Sequence, residues 1–96
     1  MQQYVIIGRD GTDAEALTRR LAVRPQHLEG AALLRSKGQF VEGGAILNAD
    51  GQMIGSVMIL QFETQAEFDA WYAQEPYVTA GVWQQIEVHP FRVAPR

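Results

Sequence analysis

The apolar positions of this chain alternate between the two-residue period of strands and the wider spacing of helices. Residues 4–7 form a β-branched run, apolar on both faces, that ends at Gly8, and they predict the first strand. A helix follows, for which Thr12 or Asp13 is a suitable cap. Because proline suits the first turn of a helix, Pro25 predicts a jog at which a second helical stretch begins.

The second helical stretch places His27, Ala31 and Leu34 at helical spacing, so His27 lies near the apolar stripe. A cation and a glycine, Lys37 and Gly38, mark the expected end of this helix. The sequence therefore predicts a crossover helix in two parts, with a histidine close to its apolar side.

The middle of the chain is typical of two strands joined by a turn. Residues 39–47 and 54–60 have the composition of strands, and residues 48–51 supply the turn chemistry between them. Gly43 and Gly44 interrupt the first of these strands. A glycine pair at this place indicates a bulge, or a close approach of the backbone to a ligand or a neighbouring chain.

A second helix and a last strand complete the pattern. Thr64 and Glu67 match a capping box that opens a helix, and this helix is expected to end at Glu75. A short connection then leads to residues 82–88, whose alternation predicts the fourth strand. Pro90 near its end favours an edge position, where a missing N–H is tolerated.

The resulting order β-α-β-β-α-β is that of the α+β class with a ferredoxin-like split βαβ fold and an antiparallel sheet. This topology places the first and third strands at the centre, and those two runs are the ones apolar on both faces. Two helices cover only one face of such a sheet, so a second copy is expected to cover the other as a dimeric α+β barrel. The alternative is a solvated face that tolerates a few aliphatic side chains.

Composition restricts the class of protein further. A chain of 96 residues, 47% of them hydrophobic, predicts one soluble domain over residues 1–96 without a membrane span. The absence of cysteine and of a signal-peptide pattern favours the cytoplasm and removes thiolate metal sites. The formal charge of −3 argues against a nucleic-acid partner, and two distant histidines make a poor metal site, so we expect no cofactor.

His27 is the most informative candidate for chemistry, because histidine can take or give a proton near neutral pH. The alternative is a packed, hydrogen-bonded histidine without chemistry. Arg24 could hold a substrate carboxylate or phenolate, or could pair with Glu29 or Asp13 at the surface. Ser56 lacks the context of an activated nucleophile, so a hydroxyl that bonds substrate or backbone is the better interpretation.

Four separated segments occur in a specific order along nearly the whole chain. They are residues 4–9, residues 21–28, Gly55-Ser56, and residues 75–82 followed by Pro90-Phe91. Together they resemble the YciI-related (YCII) family. The resemblance implies a dimeric ferredoxin-like α+β barrel of small bacterial proteins, one branch of which is linked to dehydrochlorination of a chlorinated hydroxyhydroquinone.

This family pairs the histidine of the second segment with an acidic residue, usually aspartate, directly before Pro-Tyr. By position the histidine is His27 and the acid is Glu75, which is one methylene longer than the usual aspartate. A carboxylate bonded to one imidazole nitrogen fixes the tautomer and aims the other nitrogen at substrate. The pairing either survives with altered geometry, or the site has drifted to another substrate or to none. Tyr77 lines a pocket or simply packs.

The expected function is that of a small-molecule enzyme in which His27 is the general acid or base and Glu75 orients it. Arg24, Ser56 and Tyr77 are the candidate substrate-binding residues. Elimination, isomerisation or a dehydrochlorination-type reaction on a small cyclic or aromatic substrate suits such a site without a cofactor. The alternative is a non-catalytic homodimer, or higher oligomer, that only binds a small ligand. A cofactor-free monooxygenase rests on fold analogy alone.

Overall fold

The computed structural model describes residues 1–95 and contains a four-stranded antiparallel sheet with three helices. In chain order the elements are β1 (Gln2–Asp10), α1 (Ala16–Ser36), β2 (Phe40–Leu47), β3 (Met53–Phe62), α2 (Gln65–Gln74), α3 (Pro76–Thr79) and β4 (Trp83–Phe91). The strands lie in the order β2-β3-β1-β4. This order confirms the predicted α+β ferredoxin-like fold, with the first and third strands at the centre.

The first strand continues past the point at which the sequence predicted its end. Gly8 lies inside β1 and pairs with Ser56, and the indole of Trp83 occupies the place where a side chain at this position would begin. The extended chain therefore reaches Asp10, whose side chain is buried. A residue that looked like a strand terminator is a contact point between β1 and the start of β4.

The crossover is one continuous helix, so the predicted jog at Pro25 is wrong. Proline removes one hydrogen bond inside a helix, but Pro25 lies on the exposed side and the turns before and after it continue α1. The end of the helix agrees with the prediction. Lys37 is the last cap residue, and Gly38 follows with a positive φ of 68°.

The first helix begins later than either of its predicted cap residues, Thr12 and Asp13. Glu15 occupies the cap position and makes no side-chain cap hydrogen bond. Asp13 instead pairs with Arg19 across an exposed ion pair of 2.8 Å, and the hydrogen bond from Arg19 lowers the pKa of Asp13. The side chain of Asp13 also accepts a hydrogen bond of 3.3 Å from the backbone N–H of Glu15, so it contacts the chain just before α1.

The hairpin between β2 and β3 closes as predicted. The Oδ1 atom of Asn48 accepts hydrogen bonds from the backbone N–H groups of Asp50 and Gln52, at 2.9 and 3.0 Å. Gly51 has a φ of 80°, which suits glycine. The predicted bulge at Gly43-Gly44 is wrong, because both residues pair regularly with β3 and the register shifts lie on either side of them.

The second helix begins as predicted, since Thr64 accepts a hydrogen bond at Oγ1 from the backbone N–H of Glu67 at 3.2 Å. The helix ends with Glu75 as its last cap residue, directly before Pro76. The segment expected to be a short connection instead forms the one-turn helix α3. As Pro90 indicated, β4 is an edge strand that pairs with β1.

The two faces of the sheet differ in their cover. The buried core lies between the helices and one face, and its largest fully buried side chains are Ile6, Leu60, Phe62, Tyr77 and Val82. The other face carries a stripe of aliphatic residues on the central strands, where Val5 pairs with Ile59 and Ile7 with Val57. These four side chains are only half-buried. Within the described residues, the helices are too short or too polar to cross a membrane.

Candidate active site

His27 and Glu75 lie 48 positions apart in the sequence, and the fold brings their side chains into contact. Nδ1 of His27 is hydrogen-bonded to Oε1 of Glu75. The same carboxylate oxygen accepts a hydrogen bond of 3.3 Å from the backbone N–H of Tyr77. The exposed fraction of the two side chains is 11% for His27 and 2% for Glu75. The pair is therefore held inside the protein rather than at its surface.

The local sequence explains why Glu75 points inwards. A residue before proline is biased away from helical geometry, and Glu75 is extended, with φ of −63° and ψ of 121°. Pro76 then starts α3, so Glu75 is both the last cap of α2 and the first cap of α3. The turn between these helices fixes the carboxylate against the middle of α1.

Aromatic rings fix the plane of the imidazole. The Tyr77 ring stacks on His27 with centroids 4.0 Å apart and planes inclined by 15°. Trp83 approaches both rings edge-on, at 6.4 Å from His27 and 5.6 Å from Tyr77. Because Glu75 bonds Nδ1, Nε2 is the ring nitrogen left for a ligand.

A buried polar cluster lies next to this pair, and two of its residues, Arg20 and Asp10, were not among the candidates from the sequence. Arg20 donates from Nη1 to both carboxylate oxygens of Asp10, at 3.0 and 3.2 Å, and from Nη2 to Oγ of Ser56 at 2.8 Å. Its guanidinium also lies 4.5 Å from the centre of the Tyr77 ring. Burial raises the pKa of Asp10, although the charge of Arg20 acts in the opposite direction. Arg20 thus ties the end of β1 to β3 and to the ring stacked on His27.

A signal for Arg20 was present in the sequence. The residues of α1 that line the cavity beside His27 follow helical spacing, and they are Arg20, Arg24, His27, Leu28, Ala31 and Arg35. Apolar periodicity does not reveal this stripe, because three of its six residues are arginines. The stripe is cationic, and it faces the sheet.

This cavity has a volume of about 130 Å³ and lies between α1 and the strands β2 and β3. Of the five predicted site residues, His27, Arg24, Ser56 and Tyr77 line it. Glu75 lies behind the imidazole and contacts it from the other side. The predicted site residues therefore gather at one place.

The surroundings of Arg24 and of the second histidine, His89, differ from those of His27. Within residues 1–95, Arg24 pairs with neither Asp13 nor Glu29. His89 is on β4, largely exposed, with Nε2 3.2 Å from Oε1 of Glu87. The part of the chain that the structure describes contains no group of three or more possible metal ligands from His, Cys, Asp and Glu.

Tyr77 supplies a prediction about alkaline pH. Burial raises the pKa of its phenol above the usual 10.0, although Arg20 and Arg24 favour the phenolate. The unfolded chain therefore releases the Tyr77 proton first, and this residue's contribution to stability falls as pH rises through and above about 10. Denaturant unfolding between about pH 9 and pH 11 should show a steeper loss of stability in the native protein than in Tyr77→Phe. Equal slopes would contradict this.

The sequence of this chain matches a known protein family. The family model described as the YCII-related domain matches residues 2–92. The chain belongs to the YCII-related family. The YciI protein of Escherichia coli is 36% identical over 95 residues, which cover 93% of this chain and 95% of that protein. The resemblance seen in the four sequence segments is thereby confirmed.

Solved structures agree with this YCII-related fold. The 5-chloro-2-hydroxyhydroquinone dehydrochlorinase TftG from Burkholderia phenoliruptrix AC1100, solved in complex with 2,5-dihydroxybenzoquinone, superimposes with a TM-score of 0.81. It is 24% identical, over 96% of this chain and 95% of TftG. A dimeric ferredoxin-like protein from Jannaschia sp. CCS1 gives a TM-score of 0.56 at 18% identity, over 97% and 100% of the two chains. At these identities the likeness establishes the fold.

Proposed function

We propose that this protein is a small-molecule enzyme in which His27 is the general acid or base and Glu75 orients it. The observation that carries the proposal is the hydrogen bond from Nδ1 of His27 to the buried carboxylate, beside a cavity that His27 lines. An imidazole with its proton on Nδ1 has a lone pair on Nε2 and can accept a proton there. The carboxylate then stabilises the imidazolium cation that forms.

The reaction types that suit this arrangement are elimination and isomerisation on a small cyclic or aromatic substrate. Nε2 removes a proton from a carbon next to a carbonyl group, which in a hydroxylated ring exists in the keto tautomer, and the electron pair of the C–H bond forms a double bond. In an elimination, a leaving group such as chloride departs with its own electron pair. In an isomerisation, the imidazolium returns the proton to another carbon of the substrate. After an elimination the imidazolium releases its proton to solvent, and neither reaction requires an oxidant or a reductant.

Two hydroxyl groups have the chemistry to bind substrate oxygens. The Tyr77 hydroxyl has no hydrogen-bond partner within residues 1–95, and its raised pKa keeps it protonated, hence a donor, at neutral pH. Ser56 accepts from Arg20, which leaves its own O–H free to donate. Donors of this kind stabilise the negative charge that develops on a carbonyl oxygen during proton abstraction.

The structural neighbour TftG supports this reaction class, because a dehydrochlorinase catalyses an elimination on a single-ring compound and shares the fold at a TM-score of 0.81. The test is to incubate the protein with 5-chloro-2-hydroxyhydroquinone and measure chloride release. We expect turnover, and a loss of about 100- to 10,000-fold in His27→Asn. Equal chloride release by the two proteins would exclude His27 as the base. Ligand binding without turnover of any single-ring substrate would instead favour a binding module.

We also propose a homodimer in which two sheets pack through their uncovered faces. The half-buried stripe of Val5, Ile7, Val57 and Ile59 supports it, as does the dimeric ferredoxin-like neighbour from Jannaschia. Val57→Glu is expected to convert the dimer to a monomer in light scattering, because it buries a charge at the interface. Leu33→Glu, at an exposed position of α1, is the matched control and should stay dimeric. A monomeric native protein would contradict the proposal.

A further inference from the structure

Within residues 1–95, two of the three arginines around the cavity have no carboxylate partner. Arg20 is neutralised by Asp10 in a buried ion pair. Arg24 and Arg35 form no ion pair with any other described residue. The guanidinium of Arg35 lies 4.1 Å from the centre of the Phe40 ring, which positions it at the cavity without neutralising it. Two positive charges therefore remain uncompensated at this site.

The rest of the lining strengthens the imbalance. No acidic side chain belongs to the cavity wall among the residues that the structure describes. Of the carboxylates near the site, Asp10 bonds Arg20, Glu75 bonds His27, and the exposed Glu42 on β2 accepts a hydrogen bond from the backbone N–H of Gly43. The whole chain is acidic, with 11 Asp and Glu against 8 Lys and Arg. A local excess of positive charge in an acidic protein attracts anions to that place.

The volume of the cavity is close to that of a single ring. At about 130 Å³ it is close to the roughly 150 Å³ at which a protein cavity holds one benzene ring. Two glycines, Gly43 and Gly44, form the wall opposite α1. Gly43 shares the α1 side of the sheet with its partner Met58, and the ring of Phe40 lies 2.8 Å from the place where a side chain of Gly43 would begin, so Phe40 closes this part of the wall. A single ring with one acidic substituent matches the space and the charge.

We propose that the cavity binds a small, single-ring organic anion, with Arg24 as the direct contact to the acidic group and Arg35 as a second, more distant positive charge. Arg24 lies one helical turn before His27, which places the bound ring within reach of Nε2. The charge of Arg24 also acts on the Tyr77 hydroxyl, so the two groups share one side of the site. Arg35 lies two turns beyond His27 and is exposed, where it acts through its field.

This inference deepens the proposed function by naming its substrate class, but its test needs no turnover. The probes are benzoate and benzamide, which share a ring and differ in charge, and binding is measured by calorimetry. Benzoate should bind and benzamide should not. Arg24→Gln should weaken benzoate binding about 10- to 100-fold, because a charge-assisted hydrogen bond is lost. Arg24→Lys, which keeps the charge, should recover part of the loss.

The effect of the more distant charge, Arg35, is measured by the salt dependence of benzoate binding. Arg35→Gln should weaken benzoate binding by a few-fold at low salt, and the difference should disappear at high salt, because salt screens charges that are not in contact. Lys37→Gln removes a charge near the same end of α1 but outside this cavity, and it should leave binding unchanged. Circular dichroism and thermal unfolding check that each variant is folded.

Three results would overturn the anion site: no benzoate binding, equal binding of benzamide, or unchanged benzoate affinity in Arg24→Gln. Failure of the proposed function gives a different result, because benzoate would then bind through Arg24 while single-ring substrates are not turned over. His27→Asn separates the two further. It should abolish turnover and leave benzoate affinity within a few-fold of the native value, because the acidic group contacts Arg24.

Discussion

Arg20→Met is expected to lower the free energy of unfolding by about 3–5 kcal/mol, because it leaves the buried charge of Asp10 without its partner. The exposed fractions of the two side chains are 3% for Arg20 and 2% for Asp10. The same substitution removes the hydrogen bond to Ser56 and the contact with the Tyr77 ring. Denaturant unfolding at neutral pH measures the change.

The chain offers a matched control one position earlier. Arg19 pairs with Asp13 at the surface, where the exposed fractions are 29% and 52%, so Arg19→Met should cost no more than about 1 kcal/mol. The loss in Arg20→Met should also shrink in acid. Burial raises the pKa of Asp10 and the charge of Arg20 lowers it, so the pKa of Asp10 is higher still in the variant. The stability of the variant therefore rises more than that of the native protein as pH falls through this range. Equal losses in the two variants would show that the buried pair is not important for stability.

Glu75→Gln is expected to lower the turnover of 5-chloro-2-hydroxyhydroquinone by about 100- to 10,000-fold. Glutamine has the same length and can still accept the hydrogen bond from the backbone N–H of Tyr77, so α3 should keep its cap. It carries no charge, and therefore does not stabilise the imidazolium form of His27. The loss should appear in kcat rather than in KM, since Glu75 does not line the cavity.

The protein contains its own control for this experiment. Glu87 and His89 form a second pair of glutamate and histidine, but both side chains are more than half exposed and lie on the edge strand β4. Glu87→Gln should leave turnover unchanged. If Glu75→Gln were as active as the native protein, Glu75 would be a structural cap and His27 would act without it.

Sequence patterns predicted the fold because hydrophobic period and turn chemistry are local signals. The Asn48 turn and the Thr64 cap depend on contacts within four residues. Predictions failed where a distant residue decides the outcome. Gly8 lies within a strand, where Trp83 fills the space that a side chain would need. Pro25 is tolerated because it lies on the outer side of α1.

The candidate site shows the same division. The pairing of His27 with Glu75 came from family resemblance, since no local rule links positions so far apart. Arg20 follows another arginine in the sequence, and its burial comes from a tertiary contact with Asp10 at the end of β1. Long-range ion pairs of this kind become visible only when the strands and the helix are assembled.

The tautomer of His27 is the most direct test of general-base catalysis at this site, because that chemistry needs a proton on Nδ1 and a lone pair on Nε2. Nitrogen-15 NMR of the neutral imidazoles reports which nitrogen carries the proton. We predict the Nδ1–H form for His27, and a change toward the Nε2–H form of free histidine in Glu75→Ala. His89, which is exposed, serves as the reference in the same spectrum. A native His27 in the Nε2–H form, or a tautomer that does not change in Glu75→Ala, would contradict general-base catalysis by His27 oriented by Glu75.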